Sequence, residues 1–162
     1  MRKWLLLALL LASPPLLAAD LQPFTRGSWQ DLRDAHAEHP FVVHFWGLTC
    51  APCMAELPRW GDLLHERSDL DLVLVAADAR ATDEVRMSAA LAKAKLSAAE
   101  SWGFADRFAD RLRFEIDPHW RGELPRTLLI AGDGTVTTMS GVADLAAVRA
   151  WLDKHKAGGG GR

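Results

Sequence analysis

Two cysteines, Cys50 and Cys53, lie in the run His44-Phe45-Trp46-Gly47-Leu48-Thr49-Cys50-Ala51-Pro52-Cys53, and the chain has no others. A bridge between them closes a tiny loop, so it restrains the unfolded chain far less than a long-range disulfide would. Closely spaced, exchangeable thiols are better explained by redox chemistry; a passive structural disulfide is the alternative. Covalent haem would need His after the second Cys, where Met54 stands. A structural zinc site would need two more Cys or His at ligand spacing, and the six His show no such pairing. A reduced pair could hold Cu(I), with Met54 as a further soft donor. Met54 reads otherwise as a core or rim side chain.

Chemistry at these thiols depends on the elements that hold them. Phe41–Trp46 is rich in β-branched and aromatic residues and reads as a buried strand. Gly47 to Thr49 form a turn. From Ala51 to about Arg67, Met54, Leu57, Trp60, Leu63 and Leu64 recur at helical spacing, with Pro58 expected to kink the helix. Cys50 then falls at a helix start, where unpaired N–H groups and the helix dipole favour a thiolate. Cys53, one turn in and deeper, suits the resolving thiol that attacks a mixed disulfide at Cys50.

The rest of the chain supplies a frame. A lead-in from Asp20 to Gly27 is read as irregular, and Ser28 with Asp31 is expected to cap a helix from Trp29 to about Ala37. Leu70–Ala77 reads as a second buried strand. Thr82 with Asp83 and Glu84 opens a helix to about Ala94, and Ser97-Ala98-Ala99-Glu100 resembles a capping box for another, to about Asp110. Leu112–Ile116 reads as a strand, and Arg126–Ala131 and Thr135–Ser140 as a hairpin around Asp133-Gly134. Asp144 caps a last helix to about Lys156. An α/β start with an antiparallel end predicts a mixed sheet with helices on both faces.

Composition narrows the class of protein. The chain has 162 residues, 49% hydrophobic and 25% charged, which is one ordinary folded domain. The net charge is −2, so no basic surface calls for a nucleic-acid partner. Arg2 and Lys3, the apolar run Trp4–Ala12, Ser13-Pro14-Pro15 and Leu16-Leu17-Ala18-Ala19 have the order of a secretory signal peptide cleaved after Ala19. Even Trp4–Ala19 is short of the roughly 20 residues that span a bilayer, although a retained anchor is the alternative. The expected domain is then 20–157, followed by a flexible Gly-rich tail over 158–162, in an exported and oxidising compartment such as the periplasm.

Phe45-Trp46 ahead of Cys50-Ala51-Pro52-Cys53, followed by Glu56-Leu57-Pro58, resembles the TlpA/ResA-type thiol:disulfide oxidoreductases of the thioredoxin superfamily. Leu124-Pro125-Arg126-Thr127, leading into Leu128-Leu129-Ile130 and Asp133-Gly134, is similar to the second landmark of that family. The resemblance spans roughly Trp29 to Leu152, and the stretch between Asp83 and Asp110 resembles its central insertion, expected here to be helical. It implies a thioredoxin fold and dithiol–disulfide exchange with protein substrates such as apocytochrome c or copper-site assembly proteins. A membrane thiol donor would supply the reducing power. It further implies a cis Leu124–Pro125 bond beside the two sulfurs and a backbone at Leu124 that pairs with substrate. Glu56 would sit near the disulfide, shifting thiol pKa values or relaying a proton, or else be a solvated first-turn Glu. Trp46, Thr49, Pro52 and Leu124 are the expected substrate-contacting residues, and His119 and Trp120 border the groove.

Three positions depart from the family pattern. His44 stands where many thioredoxins carry Asp and exported relatives often carry Asn. It is either a proton acceptor for Cys53 or a hydrogen-bonded core histidine. Thr49 replaces a second Trp, and Arg126 follows the proline, expected as a solvent-facing strand residue. No flavin or nicotinamide motif occurs, so the expected redox group is the cysteine pair, with no cofactor and no metal. The resemblance does not set the direction of exchange; an oxidant that installs disulfides and a Cu(I)-carrying protein remain the rival readings.

Overall fold

The computed structural model describes residues 21–78 and 83–156. The expected signal segment and the Gly-rich tail lie outside them. The elements run β1 (Leu21–Phe24), α1 (Ser28–Ala35), β2 (Phe41–Trp46), α2 (Ala51–Glu66), β3 (Leu72–Ala76), α3 (Glu84–Lys93), β4 (Glu100–Phe104), α4 (Ala109–Ile116), β5 (Arg126–Ile130), β6 (Val136–Ser140) and α5 (Leu145–Lys156). Six strands form one sheet in the order β1-β4-β3-β2-β5-β6. The first four are mutually parallel, while β5 runs antiparallel to β2 and β6 antiparallel to β5. This is the mixed sheet the sequence predicts.

All six residues of β2 are buried, because helices cover both faces of the sheet. Alternation along the strand sends Val42 and Trp46 to a core shared with Cys53, Leu57 and Trp60 of α2, Met87 and Leu91 of α3, and Val148 and Leu152 of α5. Phe41, Val43 and Phe45 face the other way, into a core with Trp29 and Leu32 of α1 and Leu112 of α4. The C-terminal elements follow their local signals. Asp144 caps α5 by accepting from Ala146 N at 2.9 Å and Ala147 N at 3.2 Å. Gly134 turns the β5–β6 hairpin at a φ of 83°.

The middle of the chain differs from expectation. After Ser97-Ala98-Ala99-Glu100 comes strand β4, not a helix, so the central stretch is a helix followed by a strand. The capping-box pattern is overridden because Glu100–Phe104 pairs on both sides, Ser101 with Leu74 of β3 and with Leu21 of β1. Leu112–Ile116 belongs to helix α4 rather than to a strand. Its alternating pattern misleads because Phe114 is 65% exposed and Leu112 is the fully buried residue of that helix. The lead-in contains β1, whose Pro23 is tolerated at the sheet edge. Ser28 does not cap α1: Gly27 takes the cap position in a left-handed conformation, and Ser28 Oγ accepts from Thr25 N instead. Helix α2 runs unbroken through Pro58.

Candidate redox site

Cys50 and Cys53 are joined in a disulfide with their Cα atoms 5.2 Å apart. Cys50 is the N-cap of α2, in extended conformation, and its Sγ accepts from Cys53 N at 3.2 Å. Pro52 sits in the first turn, where its missing N–H costs no helical hydrogen bond. Cys50 is partly exposed and Cys53 fully buried. An incoming thiolate therefore meets Cys50, and Cys53 is shielded by the core. The Cys53 N–H that reaches Cys50 Sγ at this N-cap, together with the helix dipole, favours the ionised form of that sulfur.

The Leu124–Pro125 bond is cis. Arg126, the next residue, pairs with Phe45 one position before the end of β2, so Pro125 lies at the sheet end from which Gly47–Cys50 emerge. Pro125 is buried and its carbonyl accepts from Gly141 N at 2.8 Å; Leu124 is half-buried. Pro52 and Thr49 are exposed. Trp46, by contrast, is fully buried among core residues that include Cys53. It has no surface to offer a substrate, which corrects its expected role as a substrate-contacting residue. Trp120 is also buried, with its ring centroid 4.8 Å from that of Phe45, while His119 is exposed. Arg126 is not solvent-facing. Its side chain is 7% exposed, ion-paired to Asp117, and lies over the Trp120 ring at 5.5 Å.

Glu56 is buried, which excludes the solvated first-turn alternative. Its Oε1 accepts from Ala143 N at 2.8 Å and from Trp60 Nε1 at 3.1 Å, while Oε2 has no hydrogen-bond partner. Burial raises the Glu56 pKa above the ordinary 4.5, against the pull of these two donors and of Arg59. One helical turn after Cys53, Glu56 shares its side of α2, with Cβ atoms of such pairs typically about 5–6 Å apart. The loop after β6 links these parts, since Gly141 N reaches Pro125 and Ala143 N reaches Glu56.

His44 is fully buried on the α2 side of β2. Its Nδ1 lies 3.0 Å from Thr127 Oγ1, its ring packs against Trp60 at 5.0 Å, and Nε2 has no partner. Burial lowers its pKa from 6.5 to about 3, so the imidazole is neutral at ordinary pH. It is a hydrogen-bonded core histidine with one free ring nitrogen. The free Nε2 is the one atom on which a proton could be placed, and burial works against placing it there at neutral pH.

Asp78, just beyond β3, was not singled out by any sequence motif. One oxygen accepts from Leu48 N at 3.0 Å, and the other from Thr49 N at 2.8 Å and Thr49 Oγ1 at 2.7 Å. It grips the turn leading to Cys50. The chain separation of about thirty residues hides this pairing from local pattern, because only parallel β2–β3 pairing brings the two segments together.

No family model matches the sequence, and no curated protein matches it by sequence. Solved structures do match by shape. A secreted Mycobacterium tuberculosis disulfide oxidoreductase, homologous to E. coli DsbE, superposes with a TM-score of 0.59 at 20% identity, covering 75% of this chain and 85% of that one. The thioredoxin domain of a Bacteroides vulgatus thiol-disulfide oxidoreductase gives 0.58 at 17% identity, covering 74% and 83%. StoA from Bacillus subtilis gives 0.52 at 19% identity, covering 71% and 83%. At such identities shape is what is shared. The six-stranded mixed sheet, the cystine at the start of α2 and the cis-proline at the same sheet end make this an α/β protein of thioredoxin-like fold.

Proposed function

We propose that the chain is an exported thiol:disulfide oxidoreductase that reduces disulfides of protein substrates in the periplasm. The observation that carries the reading is the asymmetry of the pair, with Cys50 accessible at a helix N-cap and Cys53 buried behind it. In the reduced protein, the Cys50 thiolate attacks one sulfur of a substrate disulfide. A Cys50–substrate bond forms and the other substrate sulfur leaves as thiolate. Cys53 then attacks Cys50, the mixed disulfide breaks, and the second substrate sulfur is released. Two electrons pass to the substrate, the two thiol protons end on its sulfurs, and the Cys50–Cys53 disulfide remains.

Re-reduction requires a dithiol donor. The signal-like order of Arg2 to Ala19 supports export, and in an exported compartment a membrane thiol donor is the source that fits. Apocytochrome c cysteines and copper-site assembly proteins are the substrate classes that the family resemblance suggests. Leu124, half-buried before the cis-proline, has a backbone suited to pair with an extended substrate segment, while Thr49 and Pro52 form the exposed rim. Glu56, buried one helical turn after Cys53 with its pKa raised by burial, is the candidate proton-handling group, and His44 offers a free Nε2 as a second.

A Cys53→Ser variant tests the chemistry. It is expected to accumulate mixed disulfides through Cys50 that survive SDS and are released by reductant, and Cys50→Ser should accumulate none. Absence of such complexes, with stoichiometric Cu(I) on the reduced wild type, would replace the reading by metal carriage. Direction is read from the potential in glutathione buffers. A value near or below about −220 mV supports a reductase, and one near about −120 mV an oxidant.

A further inference from the structure

The Asp78 carboxylate accepts three hydrogen bonds at the cystine end of the sheet, and exchange chemistry as described above does not use it. In the β2–β3 register Trp46 pairs with Ala76, and Ala77 N still donates to Trp46 O at 2.8 Å. Beyond that point backbone pairing stops, because the chain after Trp46 turns, with Cys50 N donating to Gly47 O at 3.3 Å. Asp78 continues the connection with its side chain, taking the N–H groups of Leu48 and Thr49 and the Thr49 hydroxyl. Gly47 is required for this approach, since a Cβ there would overlap the carboxylate. Gly47, Thr49 and Asp78 are thus one device, built from a turn, a rim residue and the end of a neighbouring strand.

The device has an electrostatic consequence. Thr49 immediately precedes Cys50, so the bonded carboxylate oxygen lies no more than roughly 8 Å from Cys50 Cα by backbone dimensions. That is within about one Debye length at physiological salt. A negative charge there opposes the effect of the α2 N-terminus on a Cys50 thiolate. Disfavouring the thiolate stabilises the disulfide relative to the dithiol and so makes the dithiol the stronger reductant.

We propose that Asp78 is a positioning residue of the redox site: its carboxylate clamps the Gly47–Thr49 turn and sets a negative charge beside Cys50 that biases the pair toward donating electrons. This rests on the thiol:disulfide exchange reading above. The two effects, clamp and charge, are separable by substitution. Asp78→Asn keeps the shape and removes the charge. Thr49→Val, at an exposed position, keeps the charge and removes one donor that neutralises it. Arg113 of α4, whose guanidinium donates to Ala77 O at 3.4 Å, is unchanged in both variants, as are Glu56 and Arg59 of α2, His44 of β2 and Arg126 of β5.

The test is the pH profile of Cys50 alkylation by iodoacetamide in the reduced proteins, together with their equilibrium against glutathione. For Asp78→Asn the alkylation midpoint is expected to fall by about half to one pH unit, as for a single charge at this range in a partly solvated setting. The glutathione equilibrium should move about threefold or more toward the dithiol. For Thr49→Val the midpoint should rise. A wild-type midpoint in Asp78→Asn, or a fall in both variants, overturns the proposal by showing that the carboxylate acts through turn geometry alone. If Asp78→Asn does not fold, Thr49→Val decides: a rise supports the charge, and an unchanged or lower midpoint overturns it. A wild-type protein whose reduced Cys50 does not exchange with glutathione at all would instead remove the functional reading on which this rests.

Discussion

His44 and Glu56 both touch the Trp60 indole, and burial pushes both toward their neutral forms. For stability the two act in opposite senses. The unfolded chain takes a proton at His44 near pH 6.5 while the folded protein resists until about 3. Its stabilising contribution is present above 6.5 and is lost as pH falls through that window, at up to about 1.4 kcal/mol per pH unit. Glu56 has its folded pKa raised above 4.5, so its contribution is full below 4.5 and is lost as pH rises through the native value. Urea unfolding across pH should separate them. His44→Gln, which can keep a bond to Thr127, should flatten the acid-side loss of stability. Glu56→Gln should remove a loss that grows on going upward from pH 4.5. An acid profile unchanged by His44→Gln would show that folding does not shift the titration of this imidazole.

At the scale of elements, α2 does most of the positioning. Its N-cap is Cys50, its first turns carry Cys53 and Glu56, and its middle meets the chain end of α3. Gly61 makes that last contact possible, since a Cβ at this position would collide with the Ala94 carbonyl. In an exposed helix, Gly→Ala gains roughly 1 kcal/mol in helix propensity. Here the sign should reverse. Gly61→Ala is expected to destabilise by about 1–3 kcal/mol, read as a lowered urea midpoint, because backbone must shift to admit the methyl group. A midpoint equal to or above wild type would mean that α3 yields freely.

Across the whole molecule, the start of β5 is held from outside the sheet. Arg126 is buried beside the cis-proline and is neutralised by Asp117 from the segment after α4, with Trp120 stacked against it. Removing one partner strands the other charge, whereas removing both is far less costly. Asp117→Ala should therefore cost about 2–3 kcal/mol in denaturant unfolding, moderated because Asp117 retains solvent contact and Glu123 Oε1 stays 4.0 Å from Arg126. Arg126→Met should cost less, and the double variant less than the sum of the two. Additive losses would show that the pair is not coupled.

Much of this protein was legible along the chain. The Cys50–Cys53 spacing, the buried strand before it, the helix after it, the Asp133-Gly134 hairpin and the Asp144 cap are short-range signals, each written within a few residues. They are sufficient for an α/β class and for a cysteine pair at the start of a helix that follows a buried strand. The cis bond at Pro125 is implied by family resemblance and is present in the structure; Glu56, expected near the disulfide or solvated, is buried. Strands β1 and β4 and helix α4 were not legible, because Gln22-Pro23 and Glu100-Ser101-Trp102-Gly103 have no strand pattern without the neighbours that pair with them. Tertiary structure alone decided that Trp46 and Arg126 are buried, that His44 is held neutral, and that Asp78 reaches the turn before Cys50. The physical reason is common to all four. Burial and charge environment are set by which distant segments the sheet brings together, and a sequence read locally carries the side chain but not its surroundings.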